Sequence, residues 1–506
     1  MELNARQSSA AVNEKPIEAV DKFEAVKKIE AVEKPATQKV SLDQLRQQAI
    51  AAHNRGDWAA AIKGYQIYLQ FKPATAAVWT NLGAALRKLK HYQSAVNCYR
   101  RALELAPDDL TAKGNLANAL KDLHRLDEAI ALHQEVTAAK PNDVQALMNY
   151  ACALREQGDF ETALEQLNRA QTLDPQNAGV EWERAQNLLY LGRYSEGWQA
   201  FEARWRTGEL PVNHQQYPQW RGEDITGKHI LLHSEQGYGD TILAARYVRL
   251  VKDRVGHAGT VTLQCKPELH RLFKSIGADQ LIAPDQSPQQ SVDLHCPLMS
   301  LMGCFNTQPD TIPPPAQLHI PDEARKKFAF LESHPSPRTL KGLNERGKDK
   351  GYPLKVGIVW SGSITFANND NRAVSLKQFL PLAEIPNVRL YSLQKGPRLD
   401  ELKDNYAQSF IQDIGSLCDD FADTAAAIEQ LDVVVMTDSS VAHLAGSLNK
   451  PVINLLQNVP YWLYALDESR TPWYPSMSLL KQAQSRDWET VFQQAIKQLK
   501  TCEVQE

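Results

Sequence analysis

The chain has 506 residues and a formal net charge of −4. That length suits about three or four domains, and the weakly acidic balance argues against a general nucleic-acid binder, which would carry a basic face. No apolar run of about 18 residues occurs, so no membrane span is expected.

The chain opens MELNARQSSAAVNEKPIEAV, without the apolar core of a secretory signal. The seven cysteines form no CxxC pair. Reduced thiols, a cytoplasmic location and the absence of a metal site are expected from that usage. Residues 1–41 repeat a small motif, IEAV, FEAV and IEAV, beginning at Ile17, Phe23 and Ile29. The segment is Ala-, Glu-, Lys- and Val-rich with few large side chains, so it reads as a disordered tail or tether.

From residue 42 to 211 a 34-residue period takes over. Pro73, Pro107, Pro141 and Pro175 keep it, as do Ala61, Ala95, Ala129 and Ala163, with Gly197 continuing that row. Ala49, Gly83, Ala117, Ala151 and Ala185 form a third row. Small residues are needed where paired helices approach closely, and Pro marks the turn that ends each pair. This is the pattern of tetratricopeptide (TPR) repeats, and WTNLGAALRKLKHYQSAVNCYRRALELAP fits it most fully. Five repeats form an α solenoid. The fifth, EGWQAFEARWRTGEL, lacks the closing Pro and is expected to cap the array and dock on the region C-terminal to it.

Asn81, Asn115 and Asn149 share one register on the first helix of three successive repeats, with Gln47 and Glu183 in the outer two. An Asn amide both donates and accepts, so a row of them could grip an extended peptide backbone. The plain alternative is a residue simply common at this position.

Beyond 211 short β-branched runs alternate with helical patterns. HILLHS, TVTLQC, QLIAP and VDLHC read as strands with helices between them in a lobe spanning 212–325. A second series, KVGIVWS, VRLYSL, SFIQDI, LDVVVMT and PVINLL, fills 326–506, and the polar stretch 333–352 reads as an exposed loop. Such alternation predicts two parallel α/β domains facing across a cleft.

Ligands of open parallel sheets bind beyond the carboxyl ends of the strands. There the sequence places QGYGD after HILL, Ser361 in SGS after KVGIVW, Lys395 after VRLYSL, and Asp438, Ser439, Ser440 and His443 after LDVVVMT. Each has a bland reading: SGS as a turn, Lys395 as a solvated lysine, DSSVAH as a helix cap with a packing His. The functional reading is a diphosphate on the helix N-terminus at Ser439 and Ser440, with Lys395 as cation.

In HSEQGYGDTILAARY, Gly237 and Gly239 allow a close backbone approach, but Ile242 stands where a dinucleotide fingerprint has its third Gly. Asp240 is then either a helix cap or a general base, ionised at neutral pH with an ordinary carboxyl pKa of about 3.9.

HSEQGYGDTILAARY, VGIVWSGS, YSLQKG, FADTAAAIEQLDVVVMTDSSVAHLAGSL and TPWYPSM together resemble bacterial TPR-linked glycosyltransferases. The part from about 210 to 506 is similar to the lipopolysaccharide heptosyltransferase family (glycosyltransferase family 9), and repeats ahead of it resemble the O-linked N-acetylglucosamine transferases. The resemblance implies a GT-B unit of two Rossmann-like domains after the solenoid. It implies inverting, metal-independent transfer from a nucleotide sugar, which is substrate rather than cofactor. Asp240 matches the family's base, Lys395 looks like its donor-phosphate lysine, and Asp438, Ser439, Ser440 and His443 match its donor segment; Gly237 and Gly239 then read as the acceptor loop beside the base. Ser440 stands where many heptosyltransferases have Gly. A peptide-holding solenoid favours a protein acceptor. A non-catalytic TPR scaffold with a degenerate GT-B domain, and a sugar-nucleotide epimerase, are the alternatives.

Overall fold

The computed structural model describes residues 41–235, 237–333, 353–364, 369–467, 469–484 and 486–501. The expected tail, apart from Ser41, and the expected loop 333–352, apart from Ser333, lie outside them. The chain divides into two compact units, one ending at Ala74 and one beginning at Thr75.

In the first unit, Leu42–Asn54 and Trp58–Phe71 form a helical pair. Ser41 starts the first helix with a capping box: its Oγ accepts from the Gln44 N–H, and the Gln44 side chain accepts from the Ser41 N–H. Asp57 caps the second through the Ala60 N–H. A Cβ at Gly64 would lie 2.7 Å from that of Ala49, so the helices touch at the small residues of the repeat pattern.

The second unit starts with four more pairs: Ala76–Lys88 with Tyr92–Leu105, Leu110–Asp122 with Leu126–Ala139, Val144–Gln157 with Phe160–Leu173, and Ala178–Tyr190 with Tyr194–Phe201. Asp109, Asp143 and Asn177, again 34 residues apart, each cap a first helix with a side-chain oxygen. Ala95, Ala117, Ala129, Ala151, Ala163 and Ala185 are all fully buried. A Cβ at Gly83 would meet the Tyr99 ring at 2.7 Å. The 34-residue rows are therefore contact rows.

The last pair runs into a 3-10 turn, Glu202–Arg206, and docks as expected of a cap. Trp198 donates from Nε1 to the Thr307 carbonyl (2.8 Å), and Tyr190 donates from its hydroxyl to the Pro460 carbonyl (2.7 Å). The Trp473 indole reaches the Tyr194 hydroxyl at 3.2 Å.

Two parallel sheets come next. The first contains β1 (His229–His233), β2 (Thr260–Gln264), β3 (Gln280–Ile282) and β4 (Leu294–Pro297) in the order β3-β2-β1-β4. The second contains β5 (Leu354–Val359), β6 (Val388–Ser392), β7 (Ile411–Asp413), β8 (Val433–Thr437), β9 (Val452–Leu456) and β10 (Met477–Lys481) in the order β10-β9-β8-β5-β6-β7. Counted within its own sheet, the latter is the 3-2-1-4-5-6 order of the doubly wound fold.

The architecture is an α solenoid followed by an α/β region, as the sequence predicts. Two details differ. Between β2 and β3 the only helical turn is the 3-10 turn Pro267–Leu269, and β3 joins β4 with none, so the expected helices are missing there. The strand β10 is an addition to the expected set. Its MSLLK run directly follows an aromatic turn, and pairing with β9 is what makes it a strand.

Strand alternation splits the core. Val433 and Val435 of β8, with Ile453 and Leu455 of β9, face one hydrophobic cluster that includes the C-terminal helix Trp488–Thr501. Val434 and Met436 face a second cluster, continuous through both sheets into the last repeats. Two polar contacts also tie the lobes. Arg271 of the first lobe bonds the buried Asp423 of the second. Arg246, also buried, donates to the carbonyls of Leu243, Pro313 and Trp473.

Candidate functional site

Each sheet has one point where its strand order reverses, between β1 and β4 in the first and between β5 and β8 in the second. Loops diverge there and leave a crevice. Asp240 lies in the helix Tyr238–Ala244 just after β1, and Ser440–Ser447 begins just after β8. These two helices pack on each other. A Cβ at Gly239 would lie 2.8 Å from His443 Cδ2, 3.2 Å from its Nε2 and 3.6 Å from Ser440 Cα. The acceptor-loop glycine and the DSSVAH helix, about 200 residues apart in sequence, are thus in contact.

Asp240 is half-buried. Burial pushes its carboxyl up to about 6; the Gly237 N–H and Arg372 pull it down, and the Asp438 charge adds to the rise. The sequence expectation of an ordinary carboxyl is corrected: the group titrates nearer neutrality, where a general base works best. The helix cap position belongs to Gly237, which carries no side chain to fill it.

Asp438 accepts from the Tyr464 hydroxyl at 3.3 Å, and Arg372 Nη1 lies 3.6 Å from its Oδ2. Ser439 caps its helix, its hydroxyl accepting from the Val441 N–H (3.3 Å). His443 is buried, which drives its imidazole down to about 4 and keeps it neutral at pH 7. Its Nδ1 is 3.1 Å from the Tyr474 hydroxyl, with Nε2 on the Gly239 side.

Ser361 is buried, and its Oγ accepts from Asn369 Nδ2 at 3.1 Å. The Gln394 side chain accepts from the backbone N–H groups of Trp360 and Ser361, clamping the end of β5. Lys395, by contrast, is exposed and its Nζ donates to the Cys418 carbonyl. The cation standing at Asp438 is Arg372, which sequence reasoning missed. A Cβ at Gly362 would sit 2.7 Å from Arg372 Nη2, so the loop's Gly makes room for the guanidinium. Arg372 lies eleven residues past Ser361, too far along a polar loop for spacing to reveal it. Tyr474 did have a signal, in TPWYPSM.

Asn81, Asn115 and Asn149 sit half-buried on three first helices that are successive neighbours in the solenoid. Asn149 accepts from Gln145 Nε2 at 2.9 Å.

Chemically, the junction of the two helices joins a raised carboxylate, a guanidinium and a helix N-terminus. Its tight point is Gly239. In Gly239→Ala the methyl must displace a buried imidazole held by Tyr474, an overpacking that costs about 1–3 kcal/mol. A melting temperature several degrees below that of the parent checks this.

Solenoid and paired sheets define a TPR-containing protein with an α/β unit behind its repeats. Tetratricopeptide-repeat models match residues 76–109 and 115–178. The chain is 26% identical over 334 residues to Protein FlbA of Caulobacter vibrioides, a match that takes in 62% of this chain and 53% of that protein. It thus spans about half the length of the curated relative it matches. Similar solved structures include MamA from Desulfovibrio magneticus RS-1, which is 21% identical, the match covering 34% of this chain and 96% of that one with a TM-score of 0.30. A tetratricopeptide repeat protein from Parabacteroides merdae is 18% identical, the match covering 33% of this chain and 67% of that one, with a TM-score of 0.30. TPR arrays are protein-interaction scaffolds, and no described helix is long and apolar enough to cross a membrane.

Proposed function

We propose that this chain is a glycosyltransferase of GT-B type that moves a sugar from a nucleotide sugar to a hydroxyl on a protein bound by the repeats, in the cytoplasm. The observation that carries the reading is the contact between Gly239 and His443, which brings the candidate base loop against the candidate donor helix. Asp240 takes the acceptor proton as its oxygen attacks the anomeric carbon. The nucleoside diphosphate leaves from the opposite face, which makes the transfer inverting. Arg372 and the N–H groups at the start of Ser440–Ser447 stabilise the charge that develops on the leaving group, in place of a metal.

The test is turnover of a panel of nucleotide sugars with candidate acceptor proteins, read by intact mass. Thermal shift against the same panel accompanies it, since a ligand bound only by the native state must raise stability. A mass increment on an acceptor, lost in Asp240→Asn, supports the proposal. Stabilisation and turnover without any acceptor would point instead to an epimerase.

The second reading is a scaffold with a degenerate GT-B unit. What favours it is that the matching family models lie in the repeats and that the Ser439 hydroxyl is spent on its own helix. No stabilisation by any nucleotide would select that reading.

The Asn row makes a separate prediction. Net hydrogen bonds are worth about 0.5–1.5 kcal/mol each, so replacing Asn81, Asn115 and Asn149 together by Ala should weaken acceptor-peptide binding roughly tenfold or more. Fluorescence anisotropy with a labelled acceptor peptide measures it. An unchanged affinity would leave those positions without a peptide role.

A further inference from the structure

Arg204 lies in the 3-10 turn Glu202–Arg206 that ends the solenoid, and it is buried there. Its side chain is 1% exposed. Its Nη2 donates to both oxygens of Glu235, at 3.1 and 3.0 Å, and to Ser300 Oγ at 2.7 Å. Its Nη1 donates to Glu202 Oε1 (2.8 Å) and to the Phe201 carbonyl (3.1 Å). The guanidinium carbon lies over the rings of Phe201 and Trp205, 4.5 and 4.4 Å from their centroids. Ser300 and Gln219 in turn donate to the two oxygens of Glu202.

Glu235 is two residues past the end of β1 and five before Asp240. Its side chain is 4% exposed. It stands at the start of the short connection from β1 to the helix that carries the candidate base. The two carboxylates lie within electrostatic reach of each other, and burial pushes Glu235 up to about 7 against the pull of Arg204.

A buried ion pair is a poor stabiliser. Apolar residues of the same volume would serve the core as well or better, because desolvation offsets most of the Coulomb gain. What apolar packing does not supply is direction: one planar guanidinium donates Nη2 to both Glu235 oxygens and Nη1 to Glu202, which sets the two carboxylates relative to each other. That arrangement is suited to holding a loop root in place.

We infer that Arg204 is a positioning residue that fixes the base loop from the end of the solenoid through Glu235. The repeats then belong to the catalytic unit as well as holding its partner. The inference rests on the transferase reading for its kinetic consequence, and on the loop geometry alone for its structural one.

Glu235→Gln keeps the shape of the side chain but turns an amide N–H₂ toward a guanidinium that can only donate. Arg204→Met removes the fork, and Arg204→Lys restores the charge without its planarity. With sugar transfer as readout, kcat should fall about tenfold in Glu235→Gln, toward the ~10²-fold that a 1 Å misplacement costs. The donor KM should stay within about twofold, because the donor segment is untouched, and Arg204→Lys should recover part of what Arg204→Met loses. Melting temperature checks that each variant folds. Unchanged kcat in a folded Glu235→Gln, or Arg204→Met equal to Arg204→Lys, would overturn the inference.

Hydrogen exchange separates this from the transferase reading. In Glu235→Gln the amides of residues 237–241 should exchange about tenfold faster while those of 110–173 hold their rates. If the parent protein transfers no sugar, faster exchange upholds the coupling and the transferase reading alone fails. Unchanged exchange overturns the coupling whatever the activity.

Discussion

Replacing Asp240 by Asn is expected to lower sugar transfer by about 10²–10⁴, the contribution of a positioned general base, without lowering the melting temperature. The loss of rate comes from its role as the proton acceptor. The retained stability comes from burial. The folded protein raises this carboxyl to about 6, above its unfolded value near 3.9. The stability linked to its proton is therefore fully present below the unfolded pKa and lost as pH rises through about 6. At pH 7.5 the ionised Asp240 is a cost to the fold, and an amide of the same shape removes it. Melting curves at pH 7.5 should place the variant level with its parent or above it.

The parent's pH profile depends on the same shift. A base works only when ionised, so kcat/KM should be level above about pH 6 and fall tenfold per unit below it. An acid limb near pH 4 would show that the carboxyl is not raised, and full turnover in Asp240→Asn would remove it from the base role.

Trp198→Ala should be the most damaging single change to the fold. The indole is 4% exposed. It packs 5.3 Å from the ring of Trp462 and 5.1 Å from that of Tyr194, and bonds the Thr307 carbonyl. It therefore touches the solenoid end, the first lobe and the second lobe at once. Truncating a buried Trp costs about 3–5 kcal/mol, and here it also leaves a carbonyl without its donor. Urea unfolding followed by circular dichroism should show an earlier transition, with the α/β region losing its cooperativity with the repeats. Phe71→Ala is the control: that ring is 63% exposed, and its loss should cost about 0.5 kcal/mol or less. Equal effects from the two would mean that Trp198 is not the keystone of this junction.

The two predictions draw on different layers of information. The repeat rows that lead up to Trp198 are visible in the sequence. Ala95, Ala129 and Ala163 mark them because each repeat packs on its immediate neighbours, so the spacing of contacts equals the spacing in the chain. The strand runs β1, β2, β5, β8 and β9 are equally legible, since a strand buried on both faces is a plain apolar run. β10 is less so: its MSLLK comes straight after the aromatic turn, and pairing with the edge of β9 makes it a strand.

The candidate site is half legible. Asp240, Asp438, Ser439, Ser440 and His443 stand just past strand ends, and the strand-end rule finds such residues one at a time. Arg372 and Arg204 escape it because nothing local distinguishes a surface arginine from a buried one. Lys395 shows the converse: a lysine well placed in sequence turns out to reach the Cys418 carbonyl.

By itself, then, the sequence determined the solenoid, the parallel sheets and the loops that carry the polar residues, because those patterns depend on neighbours within one repeat or one strand. Only the tertiary structure decided which loops meet. The order β3-β2-β1-β4 and the order β10-β9-β8-β5-β6-β7 put two switch points in the chain, and the contact of Gly239 with His443 is made where they face. The same packing sets the charges: burial raises Asp240 and keeps His443 neutral, and burial is a property of packing that no residue carries in its own spacing.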